Sequence, residues 1–380
     1  MAREDTLEWL QVDPDSSLLT ELCVHLGAQG VQVEPLTSVN RCSLFDQQPV
    51  FGIILFLHHQ ARPSKDDMTA TNDRLYFANQ VIHDAYAVHA LLSVLLNCEI
   101  QLDKTLVDFK QFTRDFSPVD KGLSLGSSQV IRECYNNVAR LQVNQAKQRQ
   151  PYHYISYIPF QGYLWELDGF KNGPSRLGPC TEKNWLDLLH SELTRKTESH
   201  QRQNISYSMW SLIQDRRQIL QRKLVAQRYQ KESIERNMDV IQPRWRALPD
   251  VRHWEDEFRH VILNNKHNVR GIRVSSELLT YCQKIEDLDE DEWPVIEEQT
   301  SFKAWVDYWI QTQDTLLRLY NRLGQEDEKH ENYRKDTTRR QHDYMPFVKS
   351  YIEALHSSGH LAPLLANPNK HAMNYSMIRI

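Results

Sequence analysis

Residues 80–98 read QVIHDAYAVHALLSVLLNC. From Ala85 onward, Val88, Ala90, Leu91, Leu92, Val94, Leu95 and Leu96 make a helix that is apolar on most of its surface, and such a helix belongs in the middle of a core. Asp84 stands where an N-cap is needed, with a side-chain oxygen that accepts from the open N–H groups of the next turn. Position 86 then falls in the first turn, where the positive end of the helix dipole favours negative charge. A cysteine placed there would be driven toward thiolate. This chain has a tyrosine there.

Around that helix the totals set limits. A chain of 380 residues allows one large domain with a smaller one, or two of moderate size. Forty per cent apolar content, with ten per cent aromatic, supplies a sizeable core and excludes global disorder. A net charge of −5 argues against a nucleic-acid binder driven by bulk electrostatics. The basic runs Arg216-Arg217 and Arg222-Lys223 read as the solvated face of a helix. Six scattered cysteines include no Cys-x-x-Cys pair, and no histidines stand at metal spacing, so neither a metal nor another cofactor is expected. The amino terminus shows no apolar signal region, and no apolar run approaches ~18 residues. The expectation is a protein of the cytoplasm or nucleus with no membrane partner.

Upstream of the helix, Trp9 to Val33 reads as a short strand, a turn at Asp13-Pro14-Asp15, and a helix carrying Leu18, Leu19, Leu22 and Leu26. Val50 to Leu57 is a near-continuous apolar run, the pattern of a strand buried on both faces. Arg62 to Asp73 reads as a surface loop. Downstream, Thr105 to Phe116 and Val130 to Arg140 are helical, while Leu141 to Gln150 is a polar loop with little to bury.

The second informative stretch is His153 to Asp168. Residues 153–159 and 163–168 read as two strands joined at Gln161-Gly162. With those two residues at the turn, Phe160 pairs with Tyr163, and Ile155 lies opposite Asp168 on one face. His153 shares that face and becomes the diagonal neighbour of Asp168, roughly 7–8 Å away at the backbone. The spacing predicts a His–Asp hydrogen bond.

Gly169 to Pro179 reads as loop, Trp185 to Lys196 as helix and Ile205 to Ile213 as a last strand. After Asp215 the character changes to a long charged helix over Arg216 to Ile241, broken by Pro243 and Pro249. An acidic linker follows at Asp287 to Glu292. Trp305, Tyr308, Trp309, Thr312, Leu316, Leu319, Tyr320 and Leu323 then trace one helix face, the signature of a core or a partner interface. Tyr344 to Leu365 is a final amphipathic piece.

A thiol hydrolase needs a cysteine at a helix start, a histidine to take its proton, a carboxylate to orient the histidine and a donor for the oxyanion. A His–Asp pair on one hairpin, with a glutamine six residues before a helix-start position, closely resembles the ubiquitin C-terminal hydrolase family of cysteine deubiquitinases. The resemblance is carried by Phe77 to Ile82, Ala87 to Cys98, Phe116 to Gly122, His153 to Pro159 and Glu166 to Gly169, and it extends over Trp9 to about Arg217. It implies an α/β (α+β) papain-like fold, a central antiparallel sheet flanked by helices, followed by an all-helical extension. Gln341 to Phe347 and the helix after them resemble the terminal module of the family's longer, proteasome- or Polycomb-associated branch. The implied organisation is a hydrolase-like domain over 1–217, a charged helical extension and acidic linker over 218–300, a partner-docking tail over 301–366 and a disordered end over 367–380.

By the same resemblance Gln80 takes the oxyanion-donor position, His153 that of the general base and Asp168 that of its orienter, while the nucleophile position falls on Tyr86. A phenol, with a pKa near ~10 against ~8.5 for a thiol, is a poor nucleophile toward an amide at neutral pH. Cys98 is no substitute: at ~1.5 Å per residue it lies roughly 18 Å along the helix. The expectation is a phenol in the thiol's place, facing the imidazole, and a ubiquitin-binding or scaffolding subunit without hydrolysis. Its expected partners are ubiquitin and, on the tail, a proteasomal or chromatin-regulator activator domain. Two alternatives stay open. One is a working thiol deubiquitinase in which a cysteine stands at 86. The other is a helical adaptor acting through residues 218–380. The polar loop before His153 would arch only partly over such a cleft.

Overall fold

A computed structural model describes residues 8–45, 47–57, 72–141, 152–254, 288 and 292–361. The expected loop at 62–73, the polar stretch 141–150, the acidic run 287–292 and the expected disordered end 367–380 lie wholly or mostly outside these residues. The chain divides into one unit over Met1–Tyr333 and a second over Arg334–Ile380.

The first unit opens with α1 (Ser16–His25), whose N-cap is Asp15, accepting from the N–H groups of Ser17 and Leu18. Trp9 to Asp15 form no strand. Trp9 is instead a buried ring against Tyr135, with centroids 5.3 Å apart. Short β1 (Ala28–Gln29), β2 (Val31–Pro35), a one-turn α2 (Arg41–Phe45) and β3 (Val50–Leu57) follow. The core helix α3 spans Tyr86–Leu95, and all ten residues are buried. Next come β4 (Gln101–Leu102), α4 (Lys104–Phe112), α5 (Pro118–Ser127) and α6 (Gln129–Ala139). Helix α5 is absent from the sequence reading, which ends one helix at Phe116 and begins the next at Val130. In the fold Ser117 is its N-cap and Pro118 opens its first turn, a pairing that starts helices as readily as it ends them.

Strands β5 (His153–Phe160) and β6 (Tyr163–Asp168) form the expected hairpin. Phe160 pairs with Tyr163 and Ile155 with Asp168. Gln161 and Gly162 both adopt positive φ, at 49° and 78°, the turn type whose twist suits a two-residue hairpin. A further strand, β7 (Ser175–Pro179), pairs with β6, so the expected loop over 169–179 is in part a sheet edge. The unit continues through α7 (Trp185–Arg202), β8 (Tyr207–Gln214) and the long α8 (Arg216–Ile241).

The main sheet has six strands in the order β2-β8-β3-β5-β6-β7, and each pairing is antiparallel. Strand β3 sits inside it and is buried on both faces. Ile54 and Phe56 join α1, α3 and α6 in one core, while Ile53, Leu55 and Leu57 join α7 in another. The alternation is the period of two that the run at 50–57 conceals by being apolar throughout.

Helix α9 (Phe302–Gln341) carries the aromatic stripe. Trp305 and Trp309 pack with Trp245, Ile234 and Met238, and Leu316, Leu319, Tyr320 and Leu323 pack with Leu220 and Leu224 of α8. The stripe is core. Lys329 of α9 contacts Glu34 of β2, and Arg216 lies 3.5 Å from Glu326. In the second unit, α10 (Met345–Ser357) has no buried residue. Among the described residues no helix is long and apolar enough to cross a membrane.

Candidate active site

The helix that carries position 86 starts one residue later than the capping pattern suggests. Its N-cap is Ala85, with no side-chain cap, so Asp84 does not serve as the cap. The Asp84 carbonyl instead accepts from the Tyr135 hydroxyl at 2.8 Å, a contact between residues 51 apart that local pattern cannot register. Tyr86 is therefore the first residue of α3.

The Tyr86 side chain is wholly buried. Its ring stacks on Tyr152, with centroids 4.6 Å apart and planes 23° from parallel, and meets Phe56 edge-on at 5.2 Å. Its hydroxyl donates to the carbonyl of Val12. Burial holds the phenol well above its ordinary pKa, with Tyr135, Tyr152 and Asp13 pushing the same way. The group is a neutral donor at physiological pH, fixed by packing on two sides.

His153 stands at the start of β5 with its Nε2 2.9 Å from Oδ1 of Asp168. The pairing follows from the hairpin register, which makes the two residues diagonal neighbours. Asp168 also accepts from the Phe170 N–H at 3.0 Å. Burial alone would raise its carboxyl pKa, but the adjoining His153 ring, the Phe170 N–H and Lys196 prevail and lower it. Phe170 covers the imidazole, stacked at 4.4 Å and 8° from parallel. Both ring nitrogens of His153 are buried and neither meets hydrogen-bond geometry, so the tie of Nε2 to Asp168 is a close polar contact.

Gln80 is pinned at the meeting of two loops. Its N–H donates to the Gly169 carbonyl at 2.9 Å. The preceding Asn79 donates through Nδ2 to the carbonyls of Gly169 and Lys171, at 3.2 and 2.7 Å. On the other side the Asn79 N–H bonds the Pro118 carbonyl at 2.9 Å, and a Cβ on Gly122 would sit 2.2 Å from the Asn79 carbonyl oxygen. That approach admits only glycine. The stretches 77–82, 116–122 and 166–169, far apart in sequence, are thus one joint. The Gln80 side chain donates to the Tyr152 carbonyl at 2.8 Å, and its own oxygen is buried without a partner.

Gln80, Tyr86, His153 and Asp168 therefore converge, and Tyr152 is the hub: it stacks on Tyr86, accepts from Gln80 and precedes His153. Sequence reasoning missed Tyr152 and Phe170. The signal for the first was its place one residue before His153, on the other side of the pleat. The expected opposition of phenol and imidazole is not what the fold shows. Tyr86 and His153 neither hydrogen-bond nor stack with one another; the Tyr86 ring stacks on Tyr152 and its hydroxyl goes to the Val12 carbonyl.

The nearest thiol along the helix changes nothing. Cys98 lies three residues beyond the end of α3, its Sγ donates to the Phe51 carbonyl at 3.2 Å, and burial pushes its thiol up to about 12. His89, inside α3, is buried with both ring nitrogens unpartnered, and burial lowers it to about 3, so it stays neutral. Among the described residues no His, Cys, Asp or Glu cluster is placed to hold a metal ion.

A family model described as ubiquitin carboxyl-terminal hydrolase, family 1, matches residues 9–198, half of the chain. A second, described as ubiquitin carboxyl-terminal hydrolases, matches residues 318–361. Among curated relatives, the ubiquitin carboxyl-terminal hydrolase isozyme L5 of Dictyostelium discoideum is 29% identical over 94% of this chain and 94% of that protein. Ubiquitin carboxyl-terminal hydrolase 2 of Schizosaccharomyces pombe is 32% identical over 56% of this chain and 74% of that protein. Among solved structures, the Trichinella spiralis UCH37 catalytic domain bound to ubiquitin vinyl methyl ester aligns with a TM-score of 0.48 at 26% identity, over 55% of this chain and 96% of that one. With a family model spanning half of its residues and a relative above 30% identity covered over most of its length, the chain belongs to the family-1 ubiquitin carboxyl-terminal hydrolases.

Proposed function

We propose that this chain is a ubiquitin-binding or scaffolding member of its family that does not hydrolyse ubiquitin conjugates. The observation that carries the reading is the state of Tyr86: first residue of the core helix, fully buried, its hydroxyl given to the Val12 carbonyl. In the family's chemistry a cysteine thiol at that position gives its proton to the histidine, and the resulting thiolate attacks the carbonyl carbon while a donor steadies the oxyanion. Here the roles of base, orienter and donor fall to His153, Asp168 and Gln80, and none of them attacks a carbonyl. A neutral phenol bonded to the Val12 carbonyl does not either.

The tail supports a second part of the reading, a docking role for the end of the chain. On α10, Phe347 and Tyr351 stack at 6.1 Å and leave 66% and 56% of their surface open. An apolar helix face left in solvent is the usual form of a protein-binding surface.

The test is direct. The purified chain is mixed with ubiquitin vinyl methyl ester and, in parallel, with a ubiquitin–fluorophore conjugate, while unmodified ubiquitin is titrated by calorimetry. The expected result is saturable ubiquitin binding without adduct or turnover. Turnover by the pure wild-type chain overturns the loss of hydrolysis, and absence of any ubiquitin binding overturns the ubiquitin role.

A further inference from the structure

Away from the Tyr86 site, a cleft of about 640 Å³ opens between the segment 73–76, helix α4 with the residues after it, and helix α5. Arg74, Lys110, Arg114 and Lys121 line it, together with Asp73 and Asp115. Each charged group has elsewhere to go in an ordinary surface, yet among the described residues none of the six makes an ion pair. The charge of the lining is two units positive.

Lys121 is the anomaly. Only 9% of its surface is exposed, and a charged side chain buried to that degree is normally paired. Its ammonium has no hydrogen bond or ion pair among the described residues. Its Nζ lies over the face of the buried Tyr76 ring, 5.8 Å from the centroid. Burial lowers its pKa, and Asp115 and Asp73 act against that from a distance. Lys110 is likewise lowered by burial, and Arg114 adds repulsion. The position of Lys121 is no accident of a loose surface. It lies within α5, beside the Gly122 that packs on the Asn79 backbone, so the helix cannot turn it outward.

We propose that this cleft is a binding site for a phosphate monoester dianion, with Lys121 at its floor and Lys110, Arg114 and Arg74 around it. Its volume is that of a small-ligand pocket. Two positive charges in excess match the charge of a phosphate group at neutral pH. Arginine offers paired donors to its oxygens, and lysine supplies a point charge. The group would arrive on a small metabolite or on a phosphorylated side chain, and the site makes no demand on hydrolysis.

Thermal unfolding of the full chain, titrated with sodium phosphate against sodium chloride at matched ionic strength, tests this. Binding to the folded state raises the unfolding temperature in proportion to saturation. The expected result is a saturable rise with phosphate and none with chloride. Lys121→Met should remove that response, weakening phosphate at least tenfold, and should itself unfold at a higher temperature without ligand because a buried unpaired charge is gone. If that variant does not fold, the double variant Lys110→Gln/Arg114→Gln, on exposed positions, must lose the response to the same degree. A full phosphate response in the variants, or an equal response to chloride, overturns the proposal. A parallel titration with a capped phosphoserine tripeptide separates the sources: a stronger response than to inorganic phosphate assigns the group to a modified protein, an equal or weaker one to a small metabolite.

Discussion

Tyr86 and Tyr152 lie face to face, 4.6 Å between centroids, and the hydroxyl of the first is spent on the carbonyl of Val12. Tyr86 is thus part of the core, joining the start of α3 to the segment before α1. Tyr86→Phe leaves the buried Val12 carbonyl without its donor and should cost about 1–2 kcal/mol. Tyr86→Cys removes a ring and leaves a cavity, for roughly 3 kcal/mol. Urea unfolding of the two variants should show that order; equal stability of Tyr86→Cys and wild type would mean the ring is not packed as described.

The Asp168 carboxylate has its pKa lowered in the folded state despite burial, through His153 and the Phe170 N–H. The unfolded chain therefore binds the proton more readily, and stability rises with pH across that window. The contribution is present above the ordinary carboxylate value near ~3.9 and is lost as pH falls from there through the lower folded value. Asp168→Asn should lower stability at neutral pH and flatten the acid limb of the curve. Denaturant midpoints measured between pH 2 and pH 7 check both.

Trp309 is the keystone of the helical extension: it meets Trp245 and Trp254 edge-on at 5.4 and 5.6 Å, and its Nε1 donates to Glu235 at 2.9 Å. Trp309→Ala should cost about 3–5 kcal/mol. Proteolysis should then cut first in residues 216–333, with the sheet still protected. Uniform loss of protection would instead make sheet and extension one cooperative block.

The α10 face predicts the opposite behaviour. Phe347→Asp with Tyr351→Asp changes two open side chains and should alter stability by under about 1 kcal/mol. Differential scanning calorimetry should find the main transition in place. A large drop would show that this face is covered within the chain.

The hairpin was legible to the residue because a two-residue turn with glycine admits one register, and the register then places His153 beside Asp168. The run at 50–57 was legible for the same kind of reason, while the stripe from Trp305 to Leu323 was legible as one helix face whose packing, inside the chain or on a partner, only the fold decides. Strand β7 was not, because Gly178 and Pro179 carry turn chemistry that only an edge position tolerates. The start of α3 was misplaced by one residue, since the Asp84 carbonyl is engaged by Tyr135 from another helix. The tie of Tyr86 to Val12 belongs to the same class. Pattern can nominate the residues of a site, but the partner that bends one of them away from its neighbours comes from a distant part of the chain.

Both margins of the six-stranded sheet end in proline, Pro35 on β2 and Pro179 on β7. A proline offers no N–H to an incoming strand, and Glu34, held by Lys329, puts charge beside it. Each side of the sheet thereby carries a position that discourages an incoming strand, which disfavours self-association of the native chain by strand addition.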